Sequence, residues 1–117
     1  MGLIDLNRDN ENFIAKHYSD ARGPVIRGKH TELAVVNFAQ GEGARMHSHN
    51  EEQFVLVLEG CIRFETEDDV KEVRAGQVYF IPSQTPHATR ALEESRAISF
   101  KNLVDPSYDA TASAEDV

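Results

Sequence analysis

A chain of 117 residues, 40% hydrophobic and 27% charged, has the balance of one globular domain around one modest core. Its formal charge of −8 argues against nucleic acid, whose phosphates require a basic footprint, and disfavours an anionic membrane surface. Cys61 is the one cysteine, which excludes an intrachain disulfide; no apolar run reaches the length of a membrane span, and Met1-Gly2-Leu3-Ile4-Asp5 lacks a signal-peptide pattern. A cytoplasmic location is expected.

Residues 1–30 read as an N-terminal extension, with a strand expected to pack on the barrel or on a partner. Within it, Leu3 to Tyr18 holds a strand or a short helix, and Ser19 to His30 is a connector containing glycine and proline. From residue 31 to 105 short strands alternate with turns. Leu33-Ala34-Val35-Val36-Asn37-Phe38 is β-branched and stops at Gln40-Gly41-Glu42-Gly43. Gln53 to Leu58 is an apolar run ending at Glu59-Gly60, and Cys61 to Thr66 alternates. Val70 to Val73, Gln77 to Ile81, His87 to Leu92 and Arg96 to Phe100 complete the series, with Pro82 and Pro86 bracketing a loop. Residues 106–117 form a small acidic tail, expected to be disordered. Many short strands without a helical period predict an all-β sandwich or barrel, closure being the usual way to remove exposed edges.

The chemistry concentrates in His47-Ser48-His49-Asn50-Glu51-Glu52-Gln53. Residues two apart on a strand project to the same face, their Cα atoms roughly 6.5–7 Å apart, so both imidazoles can reach one metal at about 2.1 Å. If the strand resumes in register, parity favours Gln53 as the third inward residue, together with Val55 and Val57, and turns Glu52 outward; a bulge in Asn50-Glu51-Glu52 would shift that register. His87, after the restraining Pro86, supplies a fourth group from another part of the wall. His17 and His30 stand among polar residues and read as surface groups.

Two segments carry a family resemblance. Gly41-(five residues)-His47-Ser48-His49-(three residues)-Gln53-(six residues)-Gly60 resembles the first conserved motif of the cupin superfamily. Gly76-(five residues)-Pro82-Ser83-Gln84-Thr85-Pro86-His87 resembles the second. The resemblance implies a small antiparallel β-barrel of jelly-roll type. Inside it, His47, His49, residue 53 and His87 would hold one divalent metal ion, Zn, Ni, Mn or Fe. It also implies a homodimer. Two positions depart from the pattern: Gln53 stands where glutamate is usual, and Gln84 where glycine is usual. The competing reading is a barrel that keeps these histidines as structural polar residues and has lost its metal.

Three imidazoles and one carboxamide leave a divalent ion its full charge, where glutamate would lower it. That shell favours Lewis-acid work on a carbonyl, a hydroxyl or a bound water over a rise in oxidation state, and it attracts anionic substrates. The expected function is a metal-dependent lyase or isomerase acting on a small carboxylated or polyhydroxylated, sugar-acid-like molecule. An Fe- or Mn-dependent dioxygenase and a non-catalytic small-molecule-binding barrel are the alternatives. Single-domain cupins with a His/His/Gln/His shell include enzymes that open the ring of unsaturated uronates. Met46-His47-Ser48-His49 and Leu92-Glu93-Glu94 resemble them locally. Their acidic catalytic residue, however, falls at Ser99 and an aromatic at Lys101. Lys101 is a candidate base, its pKa depressed by a nearby dication, against a bland reading as a solvated strand-end residue. Arg45, two before His47, is the preferred anion-binding arginine among Arg45, Arg63 and Arg90. Phe38, Arg45, Val55, Val57 and Phe80 are expected to shape the pocket.

Overall fold

The computed structural model describes residues 2–7 and 10–104, and contains no helix among them. Nine strands are present: β1 (Val25–Arg27), β2 (Thr31–Phe38), β3 (Gly43–His47), β4 (Gln53–Glu59), β5 (Cys61–Thr66), β6 (Val70–Arg74), β7 (Val78–Ile81), β8 (His87–Ala91) and β9 (Ser95–Asn102). They form a five-stranded sheet in the order β1-β2-β9-β4-β7 and a four-stranded sheet in the order β3-β8-β5-β6. All named pairings are antiparallel, and β2–β9, β3–β8 and β5–β8 join strands distant in sequence, as a jelly roll requires. No helix of the described residues is long and apolar enough to cross a membrane.

Between the sheets, the inward alternation of β4, β5 and β9 packs Val55, Val57, Ile62, Phe64 and Ala97 with Phe38, Val73 and Ile81. Phe64 stacks on Tyr79 at 4.5 Å. Each of the large buried side chains contributes about 1.5–3 kcal/mol by leaving water. The β4–β5 turn needs Gly60: its φ is 86°, and a Cβ there would meet Glu94 O and Ser95 Oγ at 2.3 Å.

Three expectations change. The connector from Ser19 to His30 contains β1, a three-residue edge strand too short to announce itself by periodicity. Among its described residues, the segment before Tyr18 forms turns and an isolated bridge, Phe13 to Arg22, in place of a regular element. The strand bearing His47 ends at that residue, so His49 sits in the following loop. The expected tail, 106–117, lies outside the described residues.

Candidate metal centre

β3 pairs with β8, and its register slips between Ala44 and His47: Ala44 opposes Thr89 while His47 opposes His87. Three steps along β3 thus match two along β8, a β-bulge with one extra residue. The bulge keeps Ala44 and His47 on the cavity wall and leaves Arg45 and Met46 exposed between them. Across the pair, the rings of His47 and His87 have centroids 4.2 Å apart. His49 approaches from the β3–β4 loop, 5.7 Å from His47 and 5.0 Å from His87. One ring nitrogen from each histidine lies within 4.8 Å of the others, so the three could hold a metal ion.

That loop is fixed by the β7–β8 loop. Gln84 N donates to His49 O at 2.7 Å, Ser83 Oγ to Asn50 O at 2.6 Å, and Gln84 Nε2 to Asn50 Oδ1 at 2.9 Å. Gln84 adopts a φ of 58°, the left-handed region where glycine would be unstrained. Its side chain gives the loop the Asn50 link that a glycine would lack.

Each imidazole is held in one orientation by a main-chain carbonyl two residues away. His47 Nδ1 lies 2.6 Å from Arg45 O, His49 Nδ1 2.9 Å from Glu51 O, and His87 Nδ1 2.7 Å from Thr85 O. A carbonyl only accepts, so the Nδ1 atoms carry the protons and each Nε2 lone pair is free for a cation. Burial is the main reason the rings stay neutral. It lowers the pKa of His47 to about 3 and of His49 to about 4, against the opposing pull of those carbonyl bonds, and lowers that of His87 as well. Tyr18, from the N-terminal segment, stacks on His47 at 3.8 Å.

Gln53 opens β4 on the inward face, with Val55 and Val57 behind it. Its Nε2 donates to Ser99 Oγ at 2.7 Å, which turns the carbonyl oxygen of the amide toward His49. His49 Nε2 is buried without an aligned hydrogen-bond partner, the Gln53 amide being its polar neighbour. Three Nε2 donors and a carboxamide oxygen are the donor types that a divalent cation takes. Gln53 pairs in register with Lys101, whose pKa falls to about 8. The cause is burial, opposed by Glu32 and Glu51 and reinforced by Arg27.

Of the residues singled out in the sequence, Phe38, Val55, Ser99 and Lys101 line the cavity with His47, Gln53 and His87. Lys101 is 6% exposed, not a solvated strand end. Val57 belongs to the core behind. Phe80 lies on the outer face of its sheet, paired with Phe54, because β7 directs Tyr79 and Ile81 inward. Arg45, with Arg63 and Arg90, lines a separate cleft on the outside of the four-stranded sheet, and its guanidinium contacts Lys16 O at 3.5 Å. His17 and His30 are exposed. Sequence reasoning missed Glu32, Arg27 and Tyr18. Glu32 shares its parity with Ala34, Val36 and Phe38, so starting the strand at Thr31 would have turned a carboxylate inward.

A jelly-roll barrel with three histidines that could hold a metal ion defines the class of fold and site. Residues 34–100 match the family described as Cupin domain, Cupin_2, and the chain belongs to that family. No curated protein matches the chain. Among solved structures, it is similar to KdgF from Halomonas sp., at 22% identity and a TM-score of 0.68 over 78% of this chain and 84% of that one. A RmlC-like cupin from Shewanella frigidimarina aligns at 16% identity and a TM-score of 0.69, over 86% and 91%. A predicted oxalate decarboxylase from Thermotoga maritima aligns at 20% and 0.59, over 65% and 69%. At these identities the likeness concerns the fold.

Proposed function

We propose that the protein is a metal-dependent lyase or isomerase acting on a small carboxylated or polyhydroxylated, sugar-acid-like substrate. The neutral donor set carries this reading: three imidazoles presented through Nε2 and one carboxamide oriented by Ser99. His47, His49, Gln53 and His87 would hold one divalent ion of Zn, Ni, Mn or Fe, which at that shell supplies Lewis acidity toward a bound oxygen. The chain's own residues seat the substrate. Lys101 offers a buried cation to an acid group, and its ammonium can release a proton more readily than an exposed lysine's. Ile14, Ala15 and Tyr18 of the N-terminal segment cover part of the cavity and restrict water there. Arg45, exposed outside the cavity, takes no part in this reading.

A homodimer belongs to the same proposal. Phe54, Leu58, Val78, Phe80 and Phe100 are 40–54% exposed on one sheet face, a self-complementary patch that a two-fold partner would cover. The buried free thiol of Cys61 fits a reducing, cytoplasmic compartment.

Elemental analysis of the purified protein, then turnover of unsaturated uronates by the Zn-loaded protein without oxygen, tests the reaction class. Turnover should persist anaerobically, and Gln53→Glu should keep the metal but slow the reaction. Oxygen uptake that is required for turnover would favour the dioxygenase, and equal rates in Gln53→Glu would refute the charge argument.

A further inference from the structure

The cavity contains a buried carboxylate that a metal site does not need. Strand register sets Arg27, Glu32, Lys101 and Gln53 in one row across β1, β2, β9 and β4. Glu32 is 2% exposed and lines the cavity. Its Oε1 lies 2.7 Å from Arg27 Nη2 as an ion pair, without hydrogen-bond alignment. Its Oε2 is buried and accepts no hydrogen bond from any described residue. A buried charged acceptor is unfavourable unless a donor reaches it. Arg27 and Lys101 balance Glu32 and the nearby Glu51, so the cavity end carries no excess negative charge and admits an anion that also brings a neutral donor.

We propose that Glu32 is a specificity-determining residue, whose Oε2 accepts a hydrogen bond from a hydroxyl of a small anionic ligand seated on Lys101. The class of ligand is then a hydroxy acid, distinguished from the corresponding plain carboxylic acid by Glu32. The inference rests on the proposed reading of the cavity as the ligand site, and not on the metal being present. An alternative role, in which Glu32 only neutralises Arg27 and Lys101, would affect stability without affecting discrimination between ligands.

Calorimetric titration of the full chain with propionate, lactate and 3-hydroxypropionate, with and without Zn²⁺, separates these roles. A hydrogen bond to a charged group is worth roughly a tenfold preference or more, so at least one hydroxy acid should bind about tenfold tighter than propionate. In Glu32→Met that ratio should fall to about one, while propionate binds as well or better, because a negative charge has gone. Should Glu32→Met fail to fold, Glu32→Gln, which keeps a weaker acceptor, should reduce the ratio several-fold. No preference in the native chain, an unchanged ratio in the variants, or no binding of any of the three acids would overturn the proposal. Zinc content measured alongside shows whether the metal reading fails by itself, since the metal-free titration still tests Glu32.

Discussion

The two faces of the five-stranded sheet reverse the usual arrangement of side chains. Its inner face, at the histidine end, buries Glu32, Lys101 and Ser99 at 2–6% exposure. Its outer face leaves Phe54, Phe80 and Phe100 at 41–46%. Folding alone favours the opposite, because buried charge is unfavourable and exposed aromatic surface gains nothing. On the proposed reading, a polar ligand or ion would occupy the inner face and a second copy of the chain would cover the outer one. Away from the cavity lining, where Val57, Val73, Ala91 and Ala97 pack, the barrel follows the ordinary rule and supplies the stability that the reversed region lacks.

The largest break in that comparison is expected from His87→Ala. Losing one of three converging nitrogens should weaken metal binding by more than roughly 100-fold, beyond the range seen when only a supporting group is removed. Metal content after dialysis measures it, and retained stoichiometric metal would mean the donors lie elsewhere. Next in size, Glu32→Ala should destabilise the fold by about 3–5 kcal/mol in urea titrations, because Arg27 and Lys101 are left buried without their anion. Replacing Arg27, Glu32 and Lys101 together by methionine should recover most of that loss. If the single variant is as stable as the native chain, the inner row is better hydrated than its burial implies.

On the outer face, Phe80→Glu should abolish self-association in sedimentation velocity while changing the stability of the monomer by less than about 0.5 kcal/mol. A native chain that sediments as a monomer at every concentration would leave the apolar face without its proposed cover. A further effect concerns pH in the metal-free protein. The folded His47 and His49 have pKa values of about 3 and 4, below the ordinary 6.5, so the unfolded chain takes up protons first on acidification. Stability present above pH 6.5 should decline as pH falls through that window. A urea midpoint at pH 5.5 equal to that at pH 7.5 would show these imidazoles to be more open to water than the fold indicates.

Much of this was legible in the sequence. The strand series and Gln53 as the inward residue of β4 follow from period-two alternation, which β4 obeys from Gln53 through Val57, while both motifs rested on resemblance to the cupin superfamily. Alternation failed at Arg45, because the bulge between Ala44 and His47 inserts a residue that only the pairing with β8 reveals. It failed at Phe80 for a different reason: β7 is apolar at all four positions, so hydrophobicity could not tell inside from outside. Tyr18 reaches His47 through an irregular segment held by single bridges, Ser19 to Ala44 among them, and irregular backbone has no period to read. Lys101 shares a parity with Ser99, which leaves open whether it faces the cavity or solvent. Its burial beside Glu32 was not legible, since that depends on β2 lying next to β9, strands some sixty residues apart.

The most direct test of the central claim is an anomalous-scattering map from a crystal grown with Zn²⁺. The expected result is one peak per chain, about 2.1 Å from Nε2 of His47, His49 and His87, with the Gln53 carbonyl oxygen facing it. Rings turned from a common point, or zinc bound only at surface carboxylates, would contradict the account.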